Sequence, residues 1–331
     1  MPQCSILITC FNLGAFIEEA LESAFAQTHP DFEIVLIDDG SSDAATIAVL
    51  NQLPAHPQMR VLRTENQGVA RARNFGILHA TGKYILPLDA DDRILPTYLA
   101  RATAVLDAQP EVGFVGCHYR SFGERSTECR PRAYRFPEML IENVVPVASL
   151  YRRECWETTG GYCPELNSIE DWDLWLGFLD SGWQGVVIPE ILFEYRVRAN
   201  SNISHLRKPE IYVERLNLLY QRHEELYIQY MDEILRGKNR QFAELHSWAM
   251  YLDEQARNWE KVAIERLSVI DSLNSKSGRK ERWRYWRKRQ GERWNRIRTT
   301  KATKSERVFF IIDGIQRVVR RRIQEIRNAR W

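Results

Sequence analysis

The first half of the chain alternates between two hydrophobic periods. Cys4 to Cys10 is an apolar run typical of a buried strand, and apolar residues from Leu13 to Phe25 then recur at the spacing of a helix. Further segments follow in the same order: a strand at Glu33 to Ile37, a helix near Ala44 to Leu53, a strand near Arg60 to Arg63, a helix from Val69 to Ala80 and a strand from Tyr84 to Leu88. This alternation predicts an α/β fold with a mostly parallel central sheet flanked by helices on both faces.

Carboxylates collect where two of these predicted strands end. Asp38 and Asp39 follow the second strand, and the fourth strand runs directly into Asp89, Asp91 and Asp92. Ligands of open α/β sheets bind outside the carboxyl ends of the strands. Acids this close together repel one another, so the second cluster predicts a site for a hard divalent cation that also contacts a substrate phosphate. A helix cap or a solvated turn is the alternative explanation.

Several ordered motifs make the prediction more specific. They read SILITCFN, EIVLIDDGSSD, NQGVARARN, GKYILPLDADD, IEDWDLWL and FEYR, and they span about residues 1 to 205. In this order they resemble the inverting family 2 glycosyltransferases of the GT-A fold, which is Rossmann-like. No GxGxxG opens the first helix and no GxxxxGK[ST] occurs, which disfavours dinucleotide-binding folds and P-loop proteins.

The resemblance implies a set of residues that bind a nucleotide-sugar donor and its metal, Mg²⁺ or Mn²⁺. The nucleotide-binding residues would be Thr9, Phe11, Asn12, Asp39, Gly68, Arg73, Asn74 and Asp89. Asp91 would ligate the metal directly, as the DxD motif of the family does, and Asp89 would contact the ribose or the metal through water. A carboxylate such as Asp39 can accept a hydrogen bond from the uracil N–H or from ribose hydroxyls, so a UDP-sugar is the expected donor. A role as helix cap fits Asp43 better than Asp39.

The later motif implies the catalytic residues, Glu170 and Asp171, and the base among them. Glu170 and Asp171 open a predicted helix, where the helix dipole alone would favour carboxylates. The family places its general base at the second acid, so Asp171 would take the proton from the acceptor hydroxyl and give inversion at the anomeric carbon. Trp172 is interpreted as either an acceptor-site or a core aromatic, and Asp173 as helix surface.

Two positions depart from the family pattern. Gly177 stands where many members have Arg, and Arg198 stands where the family often has a His that touches the metal or the diphosphate. The guanidinium of Arg198 can bind phosphate but cannot ligate a metal. Arg198 is also expected, with Trp172, to line the acceptor site. No QxxRW motif is present, so processive polysaccharide synthesis is not expected.

Charge divides the chain. Residues 276–331 have a net charge of +15, and residues 1–275 have −13. We expect a glycosyltransferase domain at 1–206, a helical subdomain at 207–275 that can form a homo-oligomer, and a basic amphipathic helical tail at 276–331. Trp and Ile residues among the arginines of 281–331 are typical of a helix on an anionic membrane surface. Packing on the acidic part of the chain or on a partner is the second interpretation of the tail, and nucleic acid binding is the least favoured.

Other features concern the compartment. The N-terminus lacks a basic leader, no run of 18 apolar residues occurs, and the six cysteines form no CxxC pair. These features predict reduced cysteines and a cytoplasmic enzyme attached peripherally to the inner face of the membrane. The expected function is hexosyl transfer to a lipid-linked or cell-envelope glycan in polysaccharide biosynthesis. A catalytically inactive sugar-nucleotide-binding protein, or an interaction protein using the basic tail, is the alternative.

Overall fold

A computed structural model describes residues 2–198 and 208–275. The strands are β1 (Cys4–Cys10), β2 (Phe32–Asp39), β3 (Met59–Thr64), β4 (Tyr84–Asp89), β5 (Arg93–Ile94), β6 (Val112–Gly123), β7 (Glu128–Cys129), β8 (Leu150–Arg152) and β9 (Gln184–Val197). The helices are α1 (Ile17–Phe25), α2 (Ala44–Gln52), α3 (Val69–His79), α4 (Tyr98–Ala108), α5 (Glu138–Ile141), α6 (Arg153–Thr159), α7 (Glu170–Asp180), α8 (Pro209–Arg222), α9 (Glu224–Gln229) and α10 (Met231–Ser275). The alternation predicted for residues 4–89 is therefore present, with boundaries that differ by a few residues.

One sheet organises the described strands, in the order β3-β2-β1-β4-β8-β6-β9-β5, and β7 pairs with β6. β1 lies between β2 and β4, and all three run parallel, as does β3. β8 runs antiparallel to β4 and to β6, and β6 then pairs in parallel with β9. The predicted α/β fold with a mostly parallel sheet is confirmed, and the short strands β5, β7 and β8, each antiparallel to its neighbours, make the sheet mixed.

Both faces of the sheet are buried. Ile6 and Ile8 of β1 point into one hydrophobic core, which α1, α2 and α4 cover, whereas Leu7 points into a second core under α3 and α7. Such near-continuous burial is why β1 is mostly apolar on both faces, with Ser5 and Thr9 as its polar residues. All six cysteines are unpaired thiols and all but Cys129 are buried.

The chain up to Lys238 forms one compact unit, and a second unit begins at Asn239. The helical subdomain was expected to begin at residue 207, whereas α8 and α9 lie in the first unit, with Leu219 fully buried. Among the residues described, every helix is too short or too polar to cross a bilayer. The basic tail predicted at 276–331 lies outside the described residues.

Candidate active site

The carboxyl ends of β1, β2 and β4 meet at one edge of the sheet. Thr9 lies opposite Asp89 in the β1/β4 register, and Cys10 lies opposite Asp38 in the β1/β2 register. Thr9 Oγ1 donates a hydrogen bond to Asp89 Oδ1 at 3.2 Å. The two acidic clusters that the sequence places at strand ends therefore border the same crevice, where open α/β sheets bind their ligands.

Asp39 fixes the loop that leads into α3. Its Oδ1 accepts hydrogen bonds from the Gln67 amide at 3.0 Å and from Thr64 Oγ1 at 3.2 Å, and its Oδ2 accepts one from the Gly68 amide at 2.9 Å. Gly68 has φ of +88°, a conformation that favours glycine. A carboxylate offers about four lone-pair directions, so the three donors leave Asp39 room for one further partner.

Phe11 and Asn12 follow β1 but differ in their environment. Phe11 is 42% exposed, so its ring is open to a ligand. The Asn12 side chain binds the loop after β2, because its Oδ1 accepts hydrogen bonds from the amides of Ser42 and Asp43, both at 2.9 Å. Asp43 in turn caps α2 by accepting the Thr46 amide at 2.9 Å, so the predicted capping role of Asp43 is confirmed.

Arg73 connects the two acidic motifs. Its guanidinium is 2% exposed and binds Asp89 Oδ1 at 2.8 Å through Nη2 and Glu170 Oε1 at 2.7 Å through Nη1. The same group lies 5.4 Å from the centre of the Tyr162 ring. The end of β4 and the start of α7 are thereby brought together, although Arg73 and Glu170 are 97 residues apart in the chain.

Asn74 has structural partners. Its Oδ1 accepts hydrogen bonds from the Trp156 indole and the Tyr162 amide, both at 2.9 Å, and its Nδ2 donates to the Tyr162 carbonyl at 2.8 Å. These contacts hold the segment before α7 against α3. A donor contact for Asn74 stays a prediction.

The acids that follow β4 have different partners. Asp91 Oδ2 accepts a hydrogen bond from Arg198 Nε at 2.6 Å, and Asp92 Oδ1 accepts one from the Arg196 amide at 2.7 Å. Burial and then Asp89 raise the pKa of Asp91, against the effect of Arg198. Burial also raises the pKa of Asp92, which is 1% exposed, with Asp91 and Asp89 adding to the shift. Asp92 therefore anchors β9 rather than facing the crevice.

Asp89 and Asp91 fit a shared metal site. Within residues 2–198 and 208–275, no three His, Cys, Asp or Glu side chains could hold a cation by themselves. Mg²⁺ is usually bound by one or two carboxylates together with substrate phosphates and water. The Asp89 side chain is 30% exposed, and only its Oδ1 is engaged by Thr9 and Arg73. An open site with two carboxylates is consistent with a metal that arrives with a diphosphate.

Asp171 lies in the first turn of α7, beside Arg73 and Glu170. Its Oδ1 accepts the Trp172 amide at 2.8 Å, and its Oδ2 accepts Asn143 Nδ2 at 3.2 Å. Burial, followed by the neighbouring Glu170, raises the pKa of Asp171 to about 7. A carboxylate with this pKa is suited to general-base catalysis near neutral pH.

Packing decides two interpretations of α7 and explains a third position, Gly177. Of the two alternatives for Trp172, the structure places it in the core, because it is 3% exposed and its indole donates to the Met139 carbonyl at 2.6 Å. The prediction that Asp173 lies on the helix surface is wrong, since it is 3% exposed and binds Arg222. A Cβ at Gly177 would lie 2.9 Å from Thr159 Cγ2, so this position is a contact between α7 and α6.

Two residues of the site were missed by the sequence reasoning. Arg196 belongs to the FEYR motif, and its guanidinium donates to the Asp91 carbonyl and to Glu19, both at 2.7 Å. The motif was a signal that could have assigned Arg196 a role. Asn143 lies in an irregular segment with no recognisable pattern, so only the structure identifies it as a partner of Asp171.

Comparisons with known proteins agree with this geometry. The family model "Glycosyl transferase family 2" matches residues 5–163. A putative glycosyltransferase, EpsE of Bacillus subtilis, is 28% identical over 249 residues, which cover 72% of this chain and 87% of that protein. A PGL/p-HBAD biosynthesis glycosyltransferase of Mycobacterium bovis is 34% identical over 183 residues, which cover 52% of this chain and 68% of that protein.

Solved structures share the fold. S. aureus TarS 1–349 superposes with a TM-score of 0.53 at 20% identity, and the match covers 66% of this chain and 64% of that one, which is less than two thirds of its length. The mannosyltransferase PcManGT from Pyrobaculum calidifontis, solved with GDP-Man and Mn²⁺, superposes with a TM-score of 0.52 at 22% identity, covering 68% of this chain and 69% of that one. Taken with the relatives and the ordered motifs, these matches show that the chain belongs to glycosyl transferase family 2 and has the GT-A fold.

Proposed function

We propose that the protein transfers a hexosyl group from a nucleotide diphosphate donor, preferably a UDP-sugar, to an acceptor hydroxyl, with inversion and without processive elongation. The observation that supports this most is the buried bridge from Asp89 through Arg73 to Glu170. The bridge joins Asp89, an acid proposed for the donor and its metal, to Glu170, the neighbour of the proposed base Asp171. Sugar-nucleotide complexes of proteins with this fold, TarS with UDP-GlcNAc and PcManGT with GDP-Man, support the donor class.

The donor end of the site is built on β1 and β2. The exposed ring of Phe11 offers a stacking surface for a nucleobase, and Asp39 has one lone-pair direction left for a uracil N–H or a ribose hydroxyl. Asp39 also fixes Gly68, where the backbone can approach the diphosphate closely. Asp89 would lie beside the ribose and the diphosphate.

Asp91, with Asp89, would hold Mg²⁺ or Mn²⁺. When bound, such an ion acts as a Lewis acid that neutralises charge on the departing nucleoside diphosphate. Arg73 is paired with Asp89 and Glu170, so its charge would orient these acids. Glu170 is thereby a positioning residue for the first turn of α7. A contact of Arg73 with the nucleotide stays a prediction.

Asp171 would accept the proton of the acceptor hydroxyl. Proton removal from the face opposite the leaving diphosphate gives direct displacement, so the anomeric configuration inverts. Asn143 holds one oxygen of Asp171 and the Trp172 amide holds the other, which fixes the direction of the base. The pKa near 7 lets the group exchange its proton at neutral pH.

The acceptor and the membrane contact are proposals that rest on composition. A net charge of +15 in residues 276–331 favours an anionic membrane surface, and this suits a lipid-linked or cell-envelope glycan as acceptor. We expect the full chain to sediment with vesicles containing phosphatidylglycerol and to detach in high salt. Binding that does not change with salt would contradict the proposal.

Self-association through 207–275 is also a proposal. In this region Phe242, Leu245 and Trp259 of α10 expose large apolar surfaces. Sedimentation velocity of the chain and of Phe242→Glu would test it, since a charge on that surface should dissociate an oligomer. An unchanged sedimentation coefficient would contradict the involvement of this surface.

The enzymatic proposal is tested by incubating nucleotide sugars with Mn²⁺ and candidate acceptors and following hydrolysis and transfer. We expect Asp171→Asn to abolish transfer but keep the thermal shift caused by the donor, and Asp91→Ala to lose both. Asp180→Asn, an exposed change at the other end of α7, is the matched control. NMR of the product's anomeric proton distinguishes inversion from retention. Wild type and both site variants behaving alike would refute the proposal.

A further inference from the structure

We propose that Arg198 is a competing cation that blocks Asp91 until a nucleotide diphosphate arrives. In the free protein the guanidinium occupies the carboxylate that would ligate the metal, so a divalent cation alone binds weakly. A diphosphate attracts the guanidinium away, and metal and nucleotide then bind cooperatively. The inference rests on the proposed function and adds to it an order of binding.

The contact itself is close and charge-assisted. Arg198 Nε lies 2.6 Å from Asp91 Oδ2, and the side chains are only 24% and 11% exposed. The guanidinium also lies 5.3 Å from the centre of the Phe16 ring, so it has a second partner in this position. Hydrogen bonds between ionised groups of this kind are among the strong ones in proteins.

The neighbouring acids offer a cation few free oxygens. Asp89 Oδ1 already accepts hydrogen bonds from Thr9 and Arg73. Asp92 is 1% exposed and accepts the Arg196 amide. A cation held by Asp89 and Asp91 together, as proposed above, has to share Asp91 with Arg198, and two positive groups on one carboxylate repel each other.

Arg198 is also the arginine of the cluster best placed to move. The Arg73 side chain is 2% exposed and that of Arg196 is 12% exposed, against 24% for Arg198. Arg73 is held by two carboxylates, and Arg196 lies within β9, whereas Arg198 comes directly after the last residue of that strand. Its side chain can leave Asp91 without disturbing the sheet or the buried bridge.

A diphosphate would change the competition between Arg198 and the metal for Asp91. The planar guanidinium binds phosphate oxygens in a bidentate manner and cannot ligate a metal. The same charge therefore opposes the metal when it is alone and favours the combination of metal and diphosphate. Because coupling between two ligands is reciprocal, the nucleotide should tighten the metal by the same factor as the metal tightens the nucleotide.

The test measures Mn²⁺ binding directly, by the electron paramagnetic resonance signal of free Mn²⁺, without turnover. Wild type, Arg198→Ala and Arg198→Gln are titrated with MnCl₂ alone and then with UDP or GDP present. We expect both variants to bind Mn²⁺ alone roughly tenfold more tightly than wild type, and their coupling to the nucleotide to fall by about the same factor. Arg101→Ala, which removes an exposed arginine paired with Glu190, is the control for net charge and should match wild type.

The inference would be overturned if the Arg198 variants bind Mn²⁺ no more tightly than wild type. It would also be overturned if the coupling between Mn²⁺ and the nucleotide is as strong in the variants as in wild type. When Asp91→Ala is added to Arg198→Ala, the tight binding of Mn²⁺ should be lost. This loss would place the ion at Asp91. The proposed function is judged separately, by the thermal shift that a nucleotide sugar causes in the wild-type protein with Mn²⁺. If wild type binds the donor but the Arg198 variants show no gain in Mn²⁺ affinity, only the proposal that Arg198 competes with the metal is refuted.

Discussion

The pKa of Asp171 leads to a prediction about stability as well as catalysis. Asp171→Asn removes a carboxyl group whose pKa is raised from 3.8 to about 7, chiefly by burial and then by Glu170. Between those values the folded protein holds a proton that the unfolded chain has lost. The free energy of unfolding of the wild type therefore falls as pH rises, by at most about 1.4 kcal/mol per pH unit, until it levels above pH 7.

The magnitude follows from the same two pKa values. Between pH 3.8 and about 7 the wild type loses at most about 4 kcal/mol of its free energy of unfolding. Because Asp171 is only half-buried, we expect a loss of roughly 2 kcal/mol. Asn does not titrate, so the stability of Asp171→Asn relative to wild type should increase by this amount between pH 4 and pH 8. Any hydrogen bond lost from Asn143 or Trp172 adds an offset that does not depend on pH.

Urea unfolding at pH 4, 5, 6, 7 and 8 measures the difference. Asp180→Asn, which changes an exposed carboxylate on the same helix, is the matched control. In the wild type, kcat should rise with pH through about 7, because only the ionised Asp171 accepts a proton. A stability difference that stays flat with pH would refute the raised pKa, and a flat pH profile of kcat would refute its role as the base.

Further substitutions test the contacts that shape the site. Arg73→Met leaves Asp89 and Glu170 without a buried counter-charge and should lower the free energy of unfolding by about 3–5 kcal/mol, measured by urea titration; a loss below about 1 kcal/mol would show that the bridge is not structural. Asp173→Ala should destabilise by less, about 2 kcal/mol, because Asp173 is buried but its partner Arg222 is 40% exposed and only its second partner, His223, is buried; no effect would contradict these pairings. Gly68→Ala should cost about 1 kcal/mol of backbone strain at φ of +88° without a steric clash, and should weaken the thermal shift caused by the donor; an unchanged shift would separate this loop from donor binding.

The sequence by itself determined the order of strands and helices up to β4, because strands buried on both faces are continuous apolar runs and the helices between them have their own period. It also determined the family, since ordered motifs carry more information than any single one. The acids at the ends of β2 and β4 were found in the same way, because residues that follow a strand sit at the edge of a sheet.

Tertiary structure alone decided which partners those acids have. Nothing local indicates that Arg73 is buried between Asp89 and Glu170, that Asp173 faces inward to Arg222, or that Arg198 lies on Asp91, since the partners are 16 to 107 residues apart in the chain. A charged residue on a helix can face solvent or pair with a group inside the protein. Which of the two occurs depends on the elements that pack against that face of the helix. The pKa of Asp171 likewise follows from burial, a property that exists only once the chain has folded.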